Sequence, residues 1–72
     1  MKLSYFPETD SLYIDLADRP SADSREVEPG VVLDFDADGR LVGIDIDHAG
    51  RDFSLGRLEL SALPVAATVI AA

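Results

Sequence analysis

The clearest structural signal in this chain lies in residues 31–46, which read VVLDFDADGRLVGIDI. Apolar and other residues alternate on both sides of the central DADG, which is the period of a half-buried β-strand. Asp36-Ala37-Asp38-Gly39 has the composition of a tight turn, and Gly39 is placed to adopt the positive φ angle of a type I turn with a G1 bulge. The stretch therefore predicts a β-hairpin. The side chains expected on its apolar face are Val31, Leu33, Phe35, Val42, Ile44 and Ile46.

A second hairpin is predicted at the N-terminus. Leu12, Ile14 and Leu16 alternate with Ser11, Tyr13 and Asp15, and residues 2–6 form a shorter β-prone run. The residues between these two runs, PETD at 7–10, have the composition of a turn. The first two strands are therefore expected to pair with each other.

The residues between the hairpins are rich in Pro, Ser and Asp, and residues 18–24 predict a loop. Residues 28–30, EPG, then interrupt what would otherwise be one long strand over residues 25–35. Proline removes a ladder donor and glycine permits a bulge, so a kink in an edge strand is expected there.

The alternation stops after Asp47, and residues 48–52 predict a turn or a short helical piece. Residues 54–63 fit a short helix and a strand about equally, so both remain open. The expected fold class is α+β, mostly β: an antiparallel β-meander with a short helical or irregular C-terminal segment. Residues 1–72 are expected to form a single small β-rich domain.

Size and charge limit what such a domain can do. The chain has 72 residues, no cysteine and a formal net charge of −8, so its core is small and no disulfide supports it. The negative charge disfavours direct binding to nucleic acid or to a membrane surface. No signal peptide or membrane span is recognisable, so a cytoplasmic protein is expected. The uncharged apolar tail, residues 64–72, needs cover. It could return as a strand or packed segment in its own subunit, or pair with a second copy across a two-fold axis, and the homodimer is favoured.

Residues 34–45 resemble an EF-hand calcium loop, because they read D-x-D-x-D-G with an acid at the twelfth place. Three carboxylates on a tight loop could wrap a hard cation in oxygen ligands. Both flanks alternate as strands, however, where an EF-hand needs helices, and this favours an ordinary hairpin turn with solvent-facing Asp34 and Asp36. The candidate metal ligands are Asp34, Asp36, Asp38 and Asp45.

One face of the predicted sheet is acidic. If the apolar residues point inward, then Asp15, Asp34, Asp36, Asp45 and Asp47 point to the other side, together with Tyr13 and Val32. Such a face could hold a metal or a basic partner, or could simply be solvated. His48 is the only histidine, and no nucleophile motif accompanies it, so a turn residue is favoured over a general base. No cofactor-binding motif is present, and no cofactor is expected.

Five stretches of the chain carry a family resemblance: Lys2-Leu3-Ser4-Tyr5, Asp10-Ser11-Leu12-Tyr13-Ile14, Glu26-Val27-Glu28-Pro29-Gly30-Val31, Asp38-Gly39-Arg40-Leu41-Val42-Gly43-Ile44 and Leu58-Glu59-Leu60. In these stretches the chain resembles a family of small prokaryotic proteins known as domain of unknown function 2283. Phe6 departs from the family pattern, which commonly has Asp before the Pro-Glu turn. The resemblance implies a compact β-rich domain with no assigned activity, cofactor or catalytic residue, and some members are suspected to be antitoxin-like partners of a small toxin.

The sequence thus predicts a small protein-interaction module rather than an enzyme. Its expected partners are a second copy of itself and a basic, toxin-like protein that binds the acidic face. The alternative is a small metal-binding or hydrolytic domain that uses the acidic hairpin and His48. A bound cation or an acidic pocket around His48 would favour the alternative.

Overall fold

The computed structural model describes residues 1–71 and contains one five-stranded sheet and one short helix. The predicted α+β, mostly β class is confirmed, with a short helical and otherwise irregular C-terminal part. The sheet order is β1-β2-β5-β4-β3, and every neighbouring pair is antiparallel. The elements are β1 (Lys2–Phe6), β2 (Ser11–Asp15), β3 (Asp23–Glu28), β4 (Val31–Phe35), β5 (Leu41–Ile46) and α1 (Ala49–Asp52).

The sheet consists of an N-terminal hairpin, β1–β2, and a three-stranded meander, β3–β4–β5, joined edge to edge. The junction is the pairing of β2 with β5, in which Leu12 lies opposite Ile46 and Ile14 opposite Ile44. Residues directly opposite each other share a face of the sheet, so this register places four apolar side chains side by side. A slip by one residue would turn them to the opposite face.

Both predicted hairpin turns are confirmed. In the first, the Thr9 N–H donates to the Phe6 carbonyl at 3.3 Å. In the second, the Gly39 N–H donates to the Asp36 carbonyl at 3.0 Å, and Gly39 has a φ of 78°. Glycine adopts this left-handed conformation without the steric penalty of a Cβ.

The predicted kink at residues 28–30 is wrong, because the chain reverses there completely. Glu28 ends β3, Val31 begins β4, and the two lie opposite each other in an antiparallel pair. Pro-Gly is the central pair that a type II turn favours, and Gly30 has the required positive φ, at 85°. The bulge expected nearby lies at Val27, where the β3–β4 register shifts between Glu26 and Glu28.

The two faces of the sheet differ sharply in chemistry. The side that we call the apolar face carries Leu12, Ile14, Val31, Leu33, Ile44 and Ile46. The side that we call the acidic face carries Tyr13, Asp15, Glu26, Val32, Asp34 and Asp45. All six apolar-face residues are only half-buried, and Val42 and Ala49 are the fully buried hydrophobic side chains among residues 1–71.

After α1, residues 53–71 form neither helix nor strand, and we call them the C-terminal segment. The helix and the strand considered for residues 54–63 are therefore both absent. Every residue from 50 to 71 is exposed, including Leu58 and Val69. The last residue of the predicted apolar tail, Ala72, lies outside the described residues. In the part of the chain that the structure describes, no helix has the length and apolar character needed to cross a membrane.

Candidate functional site

The acidic face is the candidate site, and the strand register assembles it. Tyr13 lies opposite Asp45, Asp45 opposite Val32, and Val32 opposite Glu26, so these four side chains form a row across β2, β5, β4 and β3. The predicted grouping of Asp15, Asp34 and Asp45 on one face is confirmed. Asp47 follows β5 directly, and its carboxylate accepts a 3.4 Å hydrogen bond from the Ser11 hydroxyl.

Tyr13 organises the centre of this face. Its hydroxyl donates to the Asp34 carboxylate at 2.9 Å, and the other oxygen of Asp34 accepts from the Ser24 hydroxyl at 2.7 Å. The Tyr13 ring reaches Asp34 by lying over β5 at Gly43, where any Cβ would overlap the Tyr13 hydroxyl. The hydrogen bond to Asp34 raises the pKa of Tyr13, and nearby negative charges add to the effect.

Asp45 is held differently from Asp34. It is half-buried between Tyr13 and Val32, and no hydrogen bond or ion pair to its carboxylate forms among residues 1–71. Burial raises the pKa of Asp45, and the charges of Asp47 and Asp34 raise it further. A positive group placed against this face would reverse the second effect, because it would favour the charged carboxylate.

A shallow groove of about 540 Å³ runs beside Tyr13 on the acidic face. The aromatic rings of Phe6 and Tyr13 and the carboxylates of Asp15 and Asp45 line it. The other lining residues are one cation and three hydroxyl side chains: Lys2, Ser4, Thr9 and Ser11. Aromatic rings and carboxylates both attract cations, the rings through their π-electron faces. The groove therefore has the chemistry to accept a lysine or arginine side chain.

Asp36 does not belong to this face, and its expected exposure is wrong. The residue is only 8% exposed. One carboxylate oxygen accepts the N–H groups of Asp38 and Arg40, both at 2.9 Å, and the other accepts Arg19 Nε at 2.8 Å. The Arg40 N–H, together with Arg19 and the Asp38 N–H, lowers the pKa of Asp36. Asp36 is thus a structural anchor that ties the loop before β3 to the hairpin turn.

The four candidate metal ligands fall into two places. Asp34 and Asp45 lie on the acidic face, whereas Asp36 and Asp38 lie in the β4–β5 turn. Three donors already bind Asp36, and two hydroxyls bind Asp34. Over residues 1–71, no three His, Cys, Asp or Glu side chains are grouped as a metal ion would require.

His48 lies apart from the acidic groove, at the start of α1. It is exposed, has a φ of 52°, and forms no side-chain hydrogen bond to a serine hydroxyl within the described chain. A general base needs a nucleophile within reach, so this geometry gives the hydrolytic interpretation no specific support.

Sequence reasoning missed a clamp at Asp10, in the β1–β2 turn. Its carboxylate accepts the Tyr5 hydroxyl at 2.7 Å and the Gly50 N–H at 2.9 Å, and its carbonyl accepts the Ala49 N–H at 2.9 Å. Asp10 lies in a distant loop, yet it accepts hydrogen bonds from N–H groups in the first turn of α1, as a helix-capping residue does. The hydrogen bond from Tyr5 is the main cause of the lowered pKa of Asp10. The positive φ of Asp10, 52°, has no signal in the sequence beyond the tolerance of Asp for that conformation.

Comparison with known families gives one match. The model of a family described as "Protein of unknown function (DUF2283)" matches residues 2–49, which include all five strands and the start of α1. Neither the curated proteins nor the solved structures contain a match to the chain.

Proposed function

The chain belongs to the DUF2283 family of proteins of unknown function, and from that premise we propose that it is a cytoplasmic protein-interaction module. Its acidic face binds a basic, toxin-like protein, and the chain acts as the antitoxin-like partner. The proposal concerns recognition, and it assigns no catalytic residue.

The observation that carries this proposal is the charge distribution over the sheet. Asp15, Asp34, Asp45 and Glu26 project from the acidic face, and Lys2, which lies opposite Asp15, is the one basic residue among the described strand positions on that side. The apolar face between the edge strands carries no charge. A face with one sign of charge steers an oppositely charged partner and raises its association rate.

The groove beside Tyr13 supports a specific contact within this face. A lysine or arginine of the partner would lie against the rings of Phe6 and Tyr13 and would pair with Asp15 or Asp45. Asp45 gains most from such a contact, because its carboxylate is half-buried and has no partner among residues 1–71. Pairing would offset the cost of its burial.

The test uses the product of the adjacent gene, co-expressed with the full chain and then titrated by calorimetry at low and high salt. The expected result is binding that weakens as salt rises, because ions screen exposed charges over about 8–10 Å. Asp15→Asn with Asp45→Asn should weaken binding by about tenfold or more. The matched control, Glu8→Gln with Asp38→Asn, removes the same charge from two turns and should change affinity only slightly.

Two results would contradict the proposal. Salt-insensitive binding would indicate an apolar contact in place of the acidic face. An equal loss of affinity in both double variants would show that net charge alone attracts the partner, without a site at Asp15 and Asp45.

A further inference from the structure

The apolar face is only partly covered within its own chain. Its six residues on β2, β5 and β4 are half-buried. Within residues 1–71, the elements outside the sheet are the four-residue α1 and the C-terminal segment, whose residues are exposed throughout. Protein domains bury a sheet against a second layer. The described chain therefore supplies one layer and only a small part of the second.

The accessible surface area of the chain is larger than that of a typical folded monomer of its mass. The chain exposes 5826 Å², whereas a folded monomer of 7.7 kDa is expected to expose about 4,300 Å². The excess is about 1,500 Å² per chain, or about 3,000 Å² for two chains. A standard interface removes roughly 800 Å² from each partner, and obligate homodimer interfaces remove about 2,000–5,000 Å² in total. The C-terminal segment, which is exposed throughout and includes Leu55, Leu58 and Leu63, contributes more to this excess than the half-buried residues of the apolar face.

We infer that the apolar face is the contact surface between two copies of this chain, with the C-terminal segments packed around it. Face-to-face packing of the two sheets forms a sandwich whose single core the two copies share. A two-fold axis relates the copies, as in most soluble dimers. This inference is independent of the proposed function of the acidic face.

Charge does not oppose a second copy as the occupant. Each chain carries a net charge of −8, yet the strand carboxylates of Asp15, Asp34 and Asp45 project from the opposite side of the sheet. Sheets packed face to face lie about 10 Å apart, so the two acidic faces would be farther apart than the screening length of about 8 Å. At the rim, the Arg25 guanidinium lies 5.2 Å from the centre of the Phe35 ring. Such charged residues at the edge are normal in interfaces.

The test is the mass of the full chain by sedimentation equilibrium, with two variants on adjacent residues of β4. The expected mass is twice the chain mass. Leu33→Glu places a charge on the apolar face and should weaken dimerisation by about a hundredfold or more, because the dimer would bury it unpaired. Val32→Glu adds the same charge on the acidic face and should leave the dimer intact. A monomer at high micromolar concentration would overturn the inference.

A second measurement covers the case in which Leu33→Glu does not fold. A mixed dimer of isotope-labelled and unlabelled native chains should show intermolecular nuclear Overhauser effects at the methyl groups of Ile14, Leu33 and Ile44. Intermolecular contacts confined to β1, to the acidic face or to the C-terminal segment would overturn the inference.

Discussion

The Tyr13 hydroxyl binds the Asp34 carboxylate at 2.9 Å across an intervening strand, and this is possible because Gly43 leaves the surface of β5 bare between them. Three strands are thus linked through one aromatic side chain. The same contact fixes the Tyr13 ring beside Asp45 on the acidic face, so stability and the proposed binding surface depend on the same residues.

Gly43→Ala should lower the free energy of unfolding by about 1–3 kcal/mol, the usual cost of overpacking. The added methyl would displace the Tyr13 ring and break its hydrogen bond to Asp34. In a Tyr13→Ala background the same substitution should cost much less, because the ring is gone. Urea denaturation of the four proteins in this double-mutant cycle measures the coupling. Strictly additive effects would show that the ring does not depend on Gly43.

Asp45→Asn should stabilise the chain at neutral pH. Burial and the charges of Asp47 and Asp34 raise the folded-state pKa of Asp45, so its ionisation disfavours the folded state. Below the ordinary pKa of about 4 the carboxyl is protonated in both states and this cost is absent, and it appears as pH rises through the folded-state pKa. The gain in unfolding free energy should therefore shrink on acidification. Denaturation of both proteins at neutral and acidic pH tests this, and a gain that is larger in acid would contradict it.

Gly39→Ala should destabilise the chain by on the order of 1 kcal/mol, through the positive φ of this residue. No atom lies within 4 Å of the added Cβ, so a clash does not contribute. Gly56→Ala is the matched control, since its Cβ also meets open space and its φ is not in the left-handed region. An unchanged denaturation midpoint for Gly39→Ala would contradict the prediction.

Millimolar calcium should leave the melting temperature unchanged, because hydrogen bonds and Arg19 already satisfy Asp36 in the loop that resembles an EF-hand. A ligand that bound the native state would raise the melting temperature by mass action. Differential scanning fluorimetry with and without calcium makes the comparison. A rise of several degrees that disappears in Asp36→Asn with Asp38→Asn would establish a metal site instead.

Deleting residues 65–72 should weaken the proposed dimer or leave a poorly folded chain. Val65, Val69 and Ile70 are exposed apolar side chains, at 58%, 87% and 94% exposure. A second copy is expected to cover them. Light scattering and circular dichroism of the truncated and full chains measure association and folding separately. If the truncated chain remains an equally tight dimer, these residues lie outside the contact.

Local chemistry made most of the strands predictable. Residues 11–15 and 31–46 alternate in hydrophobicity, and turn residues separate the strands within the second stretch. The acidic face followed from the same alternation. At residues 28–30, however, Pro and Gly were compatible with both a bulge and a turn, and only the pairing of β3 with β4 selects the turn.

Contacts between distant residues could not be predicted in this way. Arg19 meets Asp36 over 17 positions, and Asp10 meets Gly50 over 40. The periodicity of hydrophobic residues does not indicate such pairs, because each pair depends on where the sheet brings two loops together. The predicted exposure of Asp36 is therefore wrong, and no sequence pattern indicates the clamp at Asp10.

The pairing of β2 with β5 has a consequence for how the chain folds. Strands β3, β4 and β5 are consecutive and can form through short-range contacts, whereas β2 must wait for a loop closure that spans β3 and β4. During synthesis the N-terminal hairpin leaves the ribosome before the meander, so one edge of β2 stays unpaired until residues 41–46 have emerged. The N-terminal hairpin can therefore join the meander only after β5 has been made.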